Sequence, residues 1–153
     1  MKTRILFLFS FFLAAIALSP SASAERLFKD ISSTKGVQTV YVGKALIRMG
    51  ASMDIDGVGP VADKLDSVEV VNADEKNAVK IVRQALKRVV DQYGLEVLTE
   101  TVDDDETVVI YGKENGNILK IIVIAASEPD EISVVAMTGN IPADKLSEMV
   151  DDM

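Results

Sequence analysis

The chain contains no cysteine, no histidine and no tryptophan. Without cysteine there are no thiol nucleophiles, disulfides or iron–sulfur ligands, and the common structural zinc sites cannot form. Without histidine the most widely used general base and metal ligand are both missing. No G-x-S-x-G turn, G-x-x-x-x-G-K-[ST] phosphate loop or G-x-G-x-x-G fingerprint occurs, so the sequence gives no foothold for triad hydrolysis, nucleotide phosphate binding or dinucleotide binding. Positive charge is also short: 16 Lys+Arg stand against 24 Asp+Glu, a formal net charge of −8. An acidic chain with few aromatic rings is poorly suited to nucleic acid, which rewards clustered cations and stacking surfaces. Among the 24 acids no pair is singled out for glycoside hydrolysis, and sugar-stacking rings are lacking. An enzyme is therefore not expected, and neither is a resident cofactor.

What is present begins with a stretch that reads as an export signal. Lys2 and Arg4 form a positive start, Ile5 to Leu18 is apolar apart from Ser10, and Ala22-Ser23-Ala24 offers small residues to a signal peptidase. An apolar run of this length is shorter than the roughly 20 residues a membrane-spanning helix needs. No cysteine follows it, so lipid attachment of the bacterial lipoprotein kind is excluded. The expected organisation is a signal peptide over 1–24 and a single domain over 25–153. Cleavage is expected between Ala24 and Glu25, with the general secretion pathway expected to deliver the chain to the periplasm or the cell exterior. Loss of Lys2 and Arg4 takes the net charge from −8 to −10 and leaves Phe28, Tyr41, Tyr93 and Tyr111 as the aromatic residues.

Periodicity then orders the remainder. A short helix over Glu25 to Ile31 and a turn ending at Gly36 lead into a strand at Val37 to Val42. One or two helical turns follow at Lys44 to Met49. Gly50 to Pro60 is irregular, with three glycines and a proline. A helical turn at Val61 to Leu65 and a short strand at Val68 to Val71 precede the clearest helix. Asp74 is its expected N-cap, and Glu75 suits the positive end of the helix dipole. Val79, Val82, Leu86, Val89, Val90 and Tyr93 make its inward stripe, and Gly94 ends it.

From there the period is that of strands: Leu95 to Val102, Thr107 to Lys113, Asn117 to Ala126 and Ile132 to Thr138. Asn115-Gly116 marks a tight hairpin, and the run Ile121 to Ile124 suggests a strand covered on both faces. Ile141 to Val150, with Pro142 in its first turn, reads as a closing helix. The expected fold class is α+β, an antiparallel sheet meander with one main helix and a C-terminal helix packed on one face.

Gly36-Val37, Leu65-Asp66-Ser67-Val68, Tyr93-Gly94-Leu95, Val109-Ile110-Tyr111-Gly112-Lys113 and Met137-Thr138-Gly139-Asn140-Ile141 together carry a resemblance. The chain resembles a family of exported Bacteroidetes proteins, the domain of unknown function numbered 4252. The resemblance implies an exported α+β domain and brings no catalytic residues with it.

Three charged groupings remain. Ser52, Asp54, Asp56, Gly57 and Asp63 fall at positions one, three, five, six and twelve of a calcium-loop template. Ser52 stands where aspartate is usual, Asp63 where a bidentate glutamate closes the loop, and Pro60 stiffens it; an acidic surface loop accounts for the pattern without a metal. Asp103-Asp104-Asp105-Glu106 reads as a hairpin tip kept in water by mutual repulsion. Lys76, Lys80, Arg83 and Lys87 line one flank of the long helix, either as a docking edge or as a solvated margin whose stems cover apolar surface.

Export, a compact α+β pattern and a depleted catalytic inventory favour a non-catalytic interaction domain whose partner is an envelope or secreted protein. The alternative is a carrier holding a lipid or another small apolar ligand, for which Val/Ile richness and Met49 and Met53 beside a glycine-rich loop give room. N-terminal sequencing of exported protein is expected to begin at Glu25; a chain retaining Met1 to Ala24 would contradict the leader.

Overall fold

Strands that are apolar on both faces need cover on both sides, whereas a helix with one apolar stripe can supply only one cover. That imbalance shapes this chain. The computed structural model describes residues 26–52 and 63–146, and within them six strands form one sheet. The strands are β1 (Val37–Gly43), β2 (Leu65–Ala73), β3 (Glu96–Asp103), β4 (Glu106–Asn115), β5 (Ile118–Ser127) and β6 (Ile132–Pro142). The helices are α1 (Lys44–Ser52) and α2 (Lys76–Tyr93). The sheet order is β1-β2-β6-β5-β4-β3, and every neighbouring pair is antiparallel. The expected meander is therefore β3 to β6, and β6 continues the sheet into β2 and β1.

The long helix connects β2 to the opposite edge of the sheet. Its 18 residues span about 27 Å, enough to cross six strands set about 4.8 Å apart. Ala78, Val79, Val82, Ala85 and Val89 are its buried residues. They pack against Val71 and Ala73 of β2, Ile132, Val134 and Ala136 of β6, and Val123 and Ala125 of β5. The inward stripe thus lies slightly around from the expected one. Ala85 holds the fully buried position, while Leu86, Val90 and Tyr93 are partly buried at its margin. The helix begins at Lys76 with Glu75 as its cap residue, and Glu75 makes no side-chain cap bond. Asp74 is one step too early to act as the N-cap. At the other end Gly94 is left-handed with φ 62, and Leu95 N–H donates to the Val90 carbonyl at 2.9 Å, closing the last turn as expected.

The opposite face of the sheet is buried as well. Val68 and Val70 of β2, Ile122 and Ile124 of β5, and Val135 and Met137 of β6 form a second cluster with Ile47 of α1 and Ile141, and Leu46, Ala143 and Leu146 pack against it. This corrects the expectation of cover on one face. The sequence reason is visible in β2 and β5, where consecutive rather than alternate residues are buried.

The closing helix expected over Ile141 to Val150 is also corrected. Ile141 pairs with Leu119 and Pro142 with Ile118, so both belong to β6. Pro142 is extended at ψ 134, and the chain leaves the ladder there because proline has no N–H to give it. A single 3₁₀ turn, Ala143–Lys145, follows, held where Ala143 N–H donates to the Asn117 carbonyl at 2.8 Å. Residues beyond 146 lie outside the described residues. Likewise the expected opening helix is one 3₁₀ turn, Lys29–Ile31.

Gly139, expected to end the last strand, instead sits inside β6 opposite Leu65. A Cβ there would lie 2.2 Å from the Lys64 carbonyl oxygen and 3.0 Å from the Leu65 Cα. Two main chains meet at that point with no room for a methyl group. Gly139→Ala is expected to cost about 2–4 kcal/mol, because β2 and β6 must part. Gly94→Ala should cost only about 1 kcal/mol for its left-handed backbone. Denaturant midpoints of the two variants check the order, and equal losses would contradict the close approach.

Candidate functional site

Glu69 is the one charged residue in the middle of β2, and it is 5% exposed. Its neighbours across the ladder are Tyr41 of β1 and Ala136 of β6, and strand alternation puts it on the face covered by α2. Its carboxylate accepts the Leu27 N–H at 2.8 Å and the Phe28 N–H at 3.0 Å. Phe28 itself is fully buried in the helix-side core. Arg26 lies over the Tyr41 ring at 4.4 Å from its centroid. The start of the described chain is therefore fastened by a ring in the core, a carboxylate on two main-chain donors and a cation over an aromatic face. Burial pushes the Glu69 carboxyl above the ordinary 4.5, against the lowering effect of the two N–H groups and of Arg26. Both oxygens are committed to main-chain donors, so the group acts as a clasp. The signal for Glu69 in the sequence is a lone acid inside the run Val68-Glu69-Val70-Val71, since buried acids are rare without partners.

The second assembly is acidic and exposed. All eight residues of β3 are exposed, and the strand borders only β4 among the described residues. Asp103 pairs with Glu106 across a two-residue turn formed by Asp104 and Asp105, and Asp104 is left-handed with φ 53. The expected hairpin tip is thus present at Asp103, Asp104 and Asp105. Glu106 departs from it: it opens β4 and is 8% exposed. Beside β3, burial chiefly, and Glu100 secondarily, push the Tyr111 hydroxyl above its ordinary value.

The basic flank of α2 is exposed at Lys76, Lys80, Arg83 and Lys87. Arg83 is tied to the β5–β6 loop, its Nη2 donating to the Glu128 carbonyl at 2.7 Å. Arg88 grips Asp30 through both guanidinium nitrogens, one of them at 2.7 Å; this link joins α2 to the opening 3₁₀ turn. A shallow depression bordered by Gln84, Lys87, Arg88, Asp91 and Gln92 lies on the outward side of the helix. The flank is partly structural, which the spacing alone did not reveal.

Of the calcium template only Ser52 and Asp63 fall among the described residues. Ser52 is the last residue of α1, and Asp63 faces Lys64 Nζ at 3.5 Å with its side chain largely exposed. Asp54, Asp56 and Gly57 lie outside the described residues, as do Met53, Ala24 and Glu25. Among the described residues no helix is long and apolar enough to cross a membrane.

Residues 28–149 match the family described as a domain of unknown function, DUF4252. The chain belongs to the DUF4252 family. No curated protein and no solved structure is detectably similar to it. The matched span runs from Phe28, the ring that seats the first segment, through β6 and past the closing 3₁₀ turn. The family assignment therefore covers the sheet, the long helix, and Glu69 and Phe28 of the clasp, and starts just after Leu27.

The clasp has a pH signature. A carboxyl whose folded pKa lies above 4.5 holds a proton that the unfolded chain has already lost, so its favourable contribution is complete below pH 4.5 and fades as pH rises through the folded value. The melting temperature of wild type minus that of Glu69→Gln is expected to fall between pH 4 and pH 7. A difference that rises over that interval would mean that the two N–H bonds outweigh burial.

Proposed function

We propose that this chain is an exported, non-catalytic interaction domain of the periplasm or cell exterior, engaging a protein partner through its surface. The single observation that carries the reading is the arrangement of β3, a fully exposed edge strand with acids along it. An edge of this kind presents unpaired main-chain donors and acceptors to any extended segment that can reach it. The leader-like Met1 to Ala24 supports export. Both faces of the inner strands are occupied by the protein's own apolar side chains, which favours surface recognition over the carrier reading of a lipid held between sheet and helix. Glu69, the buried acid best placed to suggest chemistry, is already engaged by Leu27 and Phe28.

Chemical cross-linking in intact host cells is expected to join the exported chain to one defined envelope or secreted protein in reproducible yield. Turnover of a substrate by the purified chain, lost on replacing one carboxylate, would overturn the reading.

A further inference from the structure

The geometry points to β3 as the docking strand for an extended, lysine- or arginine-bearing segment of another protein, which adds a seventh strand to the sheet. This inference rests on the interaction reading above and names the partner's chemistry. Three observations carry it. First, β3 has one strand neighbour, β4, among the described residues, so the N–H and C=O groups of about every second residue point away from the sheet. Second, the strand carries apolar side chains that its own fold leaves in water: Val97 is 56%, Val102 66% and Leu98 36% exposed. Val97 and Val102 sit opposite Tyr111 and Thr107 on the helix side of the ladder, while Leu98 leans on Gly112. Side chains on both faces are thus available to grip a strand laid alongside. Third, every charged residue of β3 is negative, namely Glu96, Glu100 and Asp103, and Asp104 and Asp105 extend the run into the turn.

Charge selects the occupant. Two copies of this chain joined antiparallel about the middle of β3 would set Glu96 against Asp103 twice, and like charges directly opposite destabilise a ladder. The net charge of −8 adds to that repulsion. A segment alternating β-branched residues with lysine or arginine meets the acids with opposite charge while its main chain completes the edge. The acids also exclude neutral aggregation-prone strands, so the same residues supply selectivity.

The test uses the purified full chain and short synthetic peptides alternating valine with lysine, or valine with glutamate, followed by fluorescence polarisation. Saturable binding of the lysine peptide and none of the glutamate peptide is expected, weakening with added salt. N-methylation of alternate peptide amides should abolish binding in one phase and spare it in the other, because only one set of N–H groups faces β3. The double variant Glu96→Lys/Glu100→Lys, exposed and expected to melt like wild type, should weaken the lysine peptide by about tenfold. Equal binding of both peptides, no binding, or indifference to N-methylation would overturn the proposal, as would sedimentation showing self-association through this edge. In cells, a photo-cross-linking residue at Val102 should capture the protein found by chemical cross-linking. Capture from Lys87 on α2 instead of Val102 would refute the β3 site while leaving the interaction reading standing.

Discussion

Two-sided burial of the central strands is the constraint on which the rest of the molecule depends. β2, β6 and β5 lie side by side, and their consecutive apolar residues feed both core clusters. At about 25 cal/mol per Å² of apolar surface, neither face can be left in water. One long helix covers one face. The other is covered in part by α1 and the residues after β6, through Leu46, Ile47, Ala143 and Leu146. The two covers explain why the chain interrupts its sheet after β1 and returns to it at β2.

The same constraint fixes where cover runs out. The helix-side core reaches β4 through the partly buried Tyr111, and the opposite core reaches it through Ile110 and Val108, but no β3 residue belongs to either cluster. Among the described residues β4 is the one strand that β3 pairs with. A strand so placed contributes little to the core, and its side chains are free to answer to solubility and recognition. Its threonines and valines keep it extended, and its acids keep it from pairing indiscriminately. At the other edge, the clasp of Glu69 on Leu27 and Phe28, with Arg26 over Tyr41, joins the first described residues to the strands they cover.

Much of this architecture was legible in the residues. The change of period at Gly94, the turn residues at Asp104 and Gly116, and the apolar run Ile121 to Ile124 each encode a local event, and each is found where the pattern placed it. The features that were not legible depend on long-range pairing. Whether Ile141 continues a strand or begins a helix is decided by Leu119 across the ladder, not by its neighbours in sequence. Gly139 looked like a strand end because glycine often is one; its actual reason is the passage of Lys64 and Leu65 against it. Glu69 was missed because its partners are main-chain groups some forty residues away, which no local spacing reports. Leu86, expected inward, lies at the margin of the core because its neighbour Ala85 takes the buried position.

The distribution of charge follows from the same geometry and gives the molecule a direction. Cations on the outward side of α2 are partly consumed in holding the structure, since Arg83 ties down the β5–β6 loop and Arg88 the opening turn. Among the described residues the acids of β3, Glu96, Glu100 and Asp103, tie down no loop or turn: their side chains project from a strand that packs into neither core. Fixing a long charged side chain on the surface adds little stability on its own, so clustering charge of one sign along an open strand is hard to explain as a contribution to folding. It is well explained as selection among strands that might add to the edge, because repulsion from acidic or identical chains and attraction to basic ones act over about 8 Å at physiological salt, before any main-chain bond can form. The acids set who may approach, and the unpaired main chain of β3 sets how an accepted segment is held.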